Sequence, residues 1–245
     1  MEHTTTPKSV ALSKSAPTPV AKSITHEVKA IAEQDSALAD LVRLCAILGL
    51  QPIPEEILTK GAGELGYLLG PKVVNPVTFT SVLNEAAQRS LLIRNLEQKT
   101  LELAPLVHQA MTRRMDTPTQ RLWAERAVRA LSHAFPTSES ATWQQGERFL
   151  PHIHVCLALI DQWEFAFPEA AQLLNRAGMY LTEHARYDEA EPFYRRALAI
   201  REKTLGPEHP QVAVSLNNLA QLYKSQDKTA EAEPLYQRAL TIVED

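Results

Sequence analysis

The chain has 245 residues, with 25 Lys and Arg against 29 Asp and Glu, and a net charge of -4 gives no general pull towards nucleic acid or anionic membrane. Ala and Leu supply 32 residues each against 8 Gly, 6 Phe, 3 Trp and 6 Tyr, a helix former's composition that argues against a parallel α/β enzyme with several Gly-rich phosphate turns. Two distant cysteines, Cys45 and Cys156, exclude a disulfide framework and a structural zinc site, and the longest apolar stretch, Leu38 to Leu50 with Asp40 and Arg43 inside it, falls short of the ~20 residues that span a bilayer.

Residues 1–17 are rich in Ser, Thr and Pro and lack aromatics, so they are expected to form a flexible lead-in. A compact small domain is expected over 18–116. The stripe Leu38, Leu41, Val42, Cys45 and Leu48 has helical spacing and stops at Gly49 and Pro52. Pro54 opens a short helix over Glu55 to Lys60, with acidic residues facing the positive end of its dipole. Asn75-Pro76 starts a third helix that carries Phe79, Val82, Leu83, Ala86 and Ala87. Two short apolar runs, from Leu91 and from Thr100, read as a hairpin, and Pro105 begins a closing helix, Leu106 to Met115. Three helices, a β-wing and a closing helix make a winged-helix domain.

A helical linker follows over 117–167, with one amphipathic helix from Arg121 to Phe135 and another from about Thr142 to Phe165. Trp123, Trp143 and Trp163 are read as core anchors between these helices.

From Pro168 the sequence repeats itself. Sliding Leu173–Ile200 by 42 positions onto Ser215–Ile242 gives 11 identities in 28, among them Glu189-Ala190-Glu191-Pro192 against Glu231-Ala232-Glu233-Pro234. Two repeats, 168–210 and 211–245, are therefore expected, each of two helices. Small residues (Ala177 and Gly178, Ala190, Ala197, Ala220, Ala232, Ala239) stand where the helices of a pair cross most closely. The fold class expected for the whole chain is mainly α: a winged-helix domain with a small β-hairpin, then a right-handed α-solenoid of helix pairs.

The core Ser215-Leu216-Asn217-Asn218-Leu219-Ala220, the Ala-Glu-Pro-Leu-Tyr run at 232–236 and the loop Leu205-Gly206-Pro207-Glu208-His209-Pro210 resemble the kinesin-light-chain type of tetratricopeptide repeat. That resemblance implies a curved array whose first helices line a concave groove for a peptide or protein partner. In this register Asn175, Met179 and Thr182 of one repeat, and Asn217, Gln221 and Lys224 of the next, face the groove. An Asn amide both donates and accepts, so such residues suit the backbone of an extended peptide.

The upstream part carries Leu44-Cys45-Ala46-Ile47-Leu48, Ile53-Pro54-Glu55-Glu56, Arg89-Ser90-Leu91-Leu92, Leu106-Val107, Ala134-Phe135-Pro136 and Leu150-Pro151-His152. It resembles the winged-helix and linker region of bacterial signal-transduction ATPases of the STAND (NB-ARC) type, here without the nucleotide-binding domain. That resemblance implies the packing half of an ATPase. It also implies a nucleotide-sensing His two positions before a Leu-Val-Gln run, where this chain has Ala104, with His108 in place of the Gln.

Gly61-Ala62-Gly63-Glu64-Leu65-Gly66 satisfies G-x-G-x-x-G, but a helix precedes it and Tyr67-Leu68 stand where a phosphate loop needs Lys and Ser or Thr. It is read as a flexible inter-helix loop. His152 and His154, two apart on a helix, point away from one another and do not make a metal pair. Arg89 to Arg129 holds eight basic and four acidic residues, yet the helix Asn75–Gln88, which a DNA-binding winged helix would use for recognition, has no Lys or Arg. The sequence thus predicts a cytoplasmic, non-enzymatic interaction module without cofactor or metal. Its partner would be a protein or peptide, with an NB-ARC-type ATPase subunit or self-association through an uncapped last repeat as specific forms. The alternative is a nucleic-acid-binding regulator that uses the winged helix.

Overall fold

Helix α1 (Pro19–Ala32) opens the computed structural model, which describes residues 19–34, 36–136 and 143–244; the segment 1–17 lies outside the described residues. Its Val28 and Ile31 enter the core. Helix α2 (Ala37–Leu48) buries the predicted stripe, is capped by the Ser36 hydroxyl accepting from Ala39 N–H at 3.1 Å, and stops at Gly49, whose φ of 94° suits a residue without Cβ. Strand β1 (Ile53–Pro54) and α3 (Glu55–Lys60) follow.

The stretch expected to be a flexible loop is packed. Ala62–Glu64 is a 3-10 turn, and a Cβ on Gly61 would lie 2.5 Å from the Ala130 Cβ of a later helix. Close helix contact, rather than a phosphate, accounts for that glycine. Helix α4 (Gly66–Val74) comes next, hidden from sequence reading because Gly70-Pro71 looks like a break. The Pro71 ring sits in the second turn of a short helix.

Asn75 caps α5 (Pro76–Gln88), its Oδ1 accepting from Val77 N–H at 2.9 Å. The hairpin strands β2 (Leu92–Asn95) and β3 (Thr100–Leu103) form as expected, and β1 adds to the free edge of β3, giving the antiparallel order β1-β3-β2. Pro54 can occupy this edge position because no neighbour needs its missing N–H. Helix α6 (Pro105–Arg114) closes the unit, packing against α1 and α2.

Helix α7 (Thr117–Ala134) begins where Asp116 accepts from Thr119 N–H at 2.9 Å and touches α2, α3 and the later α9 and α10. Trp123 is fully enclosed in it, with the Arg126 guanidinium 4.6 Å from its ring centre. The expected single helix over 142–165 is two: α8 (Trp143–Glu147) and α9 (Leu150–Gln162). Pro151 lacks the N–H needed to continue the first helix and instead sits in the first turn of the second. Trp163 is half-buried, whereas the Trp143 side chain lies outside the described residues.

Four antiparallel helices complete the chain as two pairs, α10 (Pro168–Glu183) with α11 (Tyr187–Leu205) and α12 (Pro210–Ser225) with α13 (Thr229–Glu244). Gly206, at φ 90°, ends α11 with its N–H on the Glu202 carbonyl at 3.1 Å. The chain is thus mainly helical, with one small sheet and a C-terminal α-solenoid. A continuous apolar core joins the sheet unit, α7, α9, the first pair and Leu219, Leu222 and Tyr223 of the second, and Leu198 and Leu235 link it to a smaller cluster within the array.

Candidate peptide-binding face

The first pair is held by a close crossing. Gly178 of α10 lies against Tyr194 of α11 so tightly that a Cβ would stand 2.8 Å from the ring. Tyr194 is buried as a result, its hydroxyl 3.4 Å from Thr182 Oγ1, and burial pushes the phenol up to about 12. The second pair has Ala220 at the equivalent place, and there Tyr236 is only half-buried and donates to Gln221 Oε1 at 3.0 Å.

Between the pairs the joint is polar as well as apolar. The Tyr223 hydroxyl donates to Glu191 Oε1 at 3.0 Å and accepts from Arg195 at 2.7 Å, while Arg238 meets Glu202 at 2.6 Å. Burial, then Glu191, raises the Tyr223 pKa, so this phenol stays protonated as a donor through the neutral range.

Against this frame the six predicted groove residues divide by repeat. Asn175 is only 7 % exposed; its Oδ1 accepts from Asn218 Nδ2 at 2.9 Å and its own amide approaches Met179 Sδ at 3.5 Å. Met179 and Thr182 are half-buried, and the Thr182 hydroxyl donates to the Gly178 carbonyl at 2.8 Å. Asn217, Gln221 and Lys224 are exposed on one face of α12, spaced by four and three residues. Asn175 of the first pair is thus spent on seating the second, whereas Asn217, Gln221 and Lys224 are exposed, with Gln221 Oε1 engaged by Tyr236. Sequence reading missed Asn218, Arg195 and Tyr223 as joint residues, because helical period places them on a face without saying that the next pair covers it.

The array is welded to the upstream unit. His152 is wholly buried, with Nδ1 3.1 Å from the Leu48 carbonyl and Nε2 3.0 Å from that of Pro52. Arg148 donates to the Gln98 carbonyl at 2.7 Å, Arg186 pairs with Glu147 at 2.9 Å, and Arg176 reaches the carbonyls of Ser132 and Phe135 at the end of α7. A Cβ on Gly146 would collide with the Tyr180 ring, so α8 lies directly on α10.

Other candidate chemistry is engaged elsewhere. Both thiols are buried, which pushes Cys45 up to about 12 and raises Cys156 further. Among the described residues no group of three His, Cys, Asp or Glu is placed to hold a metal, and no helix is long and apolar enough to cross a membrane. The outward face of α5 presents Val77, Thr80, Ser81, Asn84 and Glu85. Several basic residues of the 89–129 stretch are occupied internally: Arg89 by Glu85, Arg94 by Glu55 and Arg129 by Glu125 and Glu169. Ala104 caps α6 without a side-chain hydrogen bond.

Residues 169–245 match the tetratricopeptide repeat family. A stretch of 95 residues, 37 % of this chain, is 33 % identical to a nucleotide-binding leucine-rich repeat (NLR)-like protein of Hyaloscypha variabilis. The match spans 9 % of that protein's length.

Proposed function

We propose that the chain is a non-catalytic interaction module of a STAND-type signalling system, which binds a peptide or protein partner along the face carried by Asn217, Gln221 and Lys224. The observation that carries this reading is the exposed polar row on α12, in an array that spends Asn175 and Asn218 on the joint between its two pairs. Two amides and an ammonium offer donors and acceptors to an extended backbone, and the rigid helix keeps the ordering cost of binding low. The tetratricopeptide match and the NLR-like relative support the class. Helix α2, the short helices through α5, the sheet and α6 supply the order of a winged helix, which we assign to 18–116. Residues 117–167 are assigned as linker and 168–245 as two kinesin-light-chain-like repeats. A cytoplasmic location belongs to this reading.

Selection of random 12-residue peptides on the immobilised chain tests it. Binders are expected, with affinity falling about tenfold on Gln221→Ala, the ~1.4 kcal/mol of a hydrogen bond lost from a buried backbone contact. Because Gln221 is exposed, this variant folds. Asn175→Ala would report on the joint instead. Failure to select any binder, or indifference to Gln221→Ala, would sink the proposal.

A further inference from the structure

A cavity of about 330 Å3 lies where α10, α11 and α12 meet, lined by Gln172, Arg201, Thr204 and Gln211 over a floor that includes Ala171. Arg201 is half-buried in it. Its guanidinium donates to Ser215 Oγ at 2.5 Å and to the Gln211 carbonyl at 3.4 Å, and among the described residues no carboxylate lies within ion-pair distance.

That isolation sets Arg201 apart. Arg43, Arg94, Arg129, Arg148, Arg186, Arg195, Arg196 and Arg238 each face an Asp or Glu. Arg176 and Arg126, also half-buried and without an acid, are spent otherwise, the first on the carbonyls that end α7 and the second on the face of the Trp123 ring. Removing a cation from water without an anion is costly, so half-buried guanidinium groups are normally paired. Guanidinium and primary amide together match a planar oxyanion, to which Arg gives two parallel hydrogen bonds.

We infer that this cavity is a carboxylate-binding subsite in which Arg201 supplies the charge and Gln172 and Gln211 the flanking amides. Its position suggests the source of the carboxylate. Gln172 shares a helix face with Asn175 and Met179, and Gln211 lies in the first turn of α12, about two turns before Asn217 and on a flank of the helix beside the row. A peptide along that row would bring an acidic side chain into the cavity, which has room for a side chain and not for a folded domain. This assignment of the source rests on the peptide-binding reading; the subsite itself does not.

Glutarate, titrated into the full chain at constant ionic strength while arginine Nε–Hε resonances are followed by NMR, tests the subsite. One resonance, missing in Arg201→Lys, should shift saturably. Gln172→Leu, which leaves both hydrogen bonds of Arg201 in place, should weaken glutarate at least fivefold, so loss of binding does not depend on a variant that misfolds. A shift that grows linearly with glutarate, equals that given by sodium chloride, or is unchanged in Gln172→Leu overturns the subsite. The source is read separately from selected peptides in which each Glu or Asp is changed to Gln or Asn. A tenfold loss at one position in the native chain, absent in Arg201→Lys, supports a peptide carboxylate. Saturable glutarate binding with no such position overturns the peptide source alone.

Discussion

Replacing Trp123 by alanine should lower the stability of the whole chain by about 3–5 kcal/mol, the usual cost of deleting a large buried aromatic. The side chain is 1 % exposed within α7, the helix that touches α2 and α3 as well as α9 and α10. Loss of the indole leaves a cavity in the apolar core around α7, and it strands the Arg126 guanidinium that lies over its ring. At roughly 2–4 °C per kcal/mol for a chain of this size, the thermal midpoint should fall by about 10 °C. Far-UV circular dichroism during heating reads the shift. A change below about 2 °C would mean that α7 is not the pillar described.

His152→Ala is the second large effect, expected at about 2–4 kcal/mol. Part comes from the cavity and part from the loss of the one N–H that a neutral ring donates to the Leu48 or the Pro52 carbonyl. Burial, opposed by these two carbonyls, lowers the His152 pKa below the ordinary 6.5. The sign follows: on acidification the unfolded chain takes up this proton first, so the contribution of His152 is full above about pH 6.5 and is lost as pH falls towards the folded value. Urea midpoints between pH 7.5 and 5 should therefore decline more steeply for the native chain than for His152→Gln, which keeps a donor and does not titrate there. Parallel curves would contradict the placement of a neutral imidazole between two carbonyls.

How much of this was legible beforehand depended on the kind of signal. Helices with a clear stripe and a punctuating residue were readable to within a few positions: Gly49 ends α2, Asn75 caps α5, Gly206 ends α11, and the 42-residue repeat placed four helices at once. Short elements set by tertiary contact were not. Helix α4 contains Gly70-Pro71, which argues for a break until the packing of Gly70 against the Ala62 carbonyl is known. Strand β1 is two residues long and exists only because β3 offers an edge. Pro151 could have divided α8 from α9, had its missing N–H been weighed against the apolar run around it.

The candidate face shows the same divide. Period alone placed Asn175 and Asn217 identically, yet one is covered by the following pair and the other is open. Equivalence in a repeat fixes direction, whereas exposure depends on whether a neighbour is stacked there. Arg201 gave no signal at all in the sequence, since a charged residue on a helix is ordinarily solvated. Only its lack of an acid inside a cavity makes it stand out.

The open polar row on α12 is the centre of the account, and cross-linking tests it most directly. A photoreactive residue placed at Gln221 should capture a selected peptide, and one placed at Val77 on the outward face of α5 should not. Capture at 77 with none at 221 would move binding from the array to the sheet unit and contradict the proposed face.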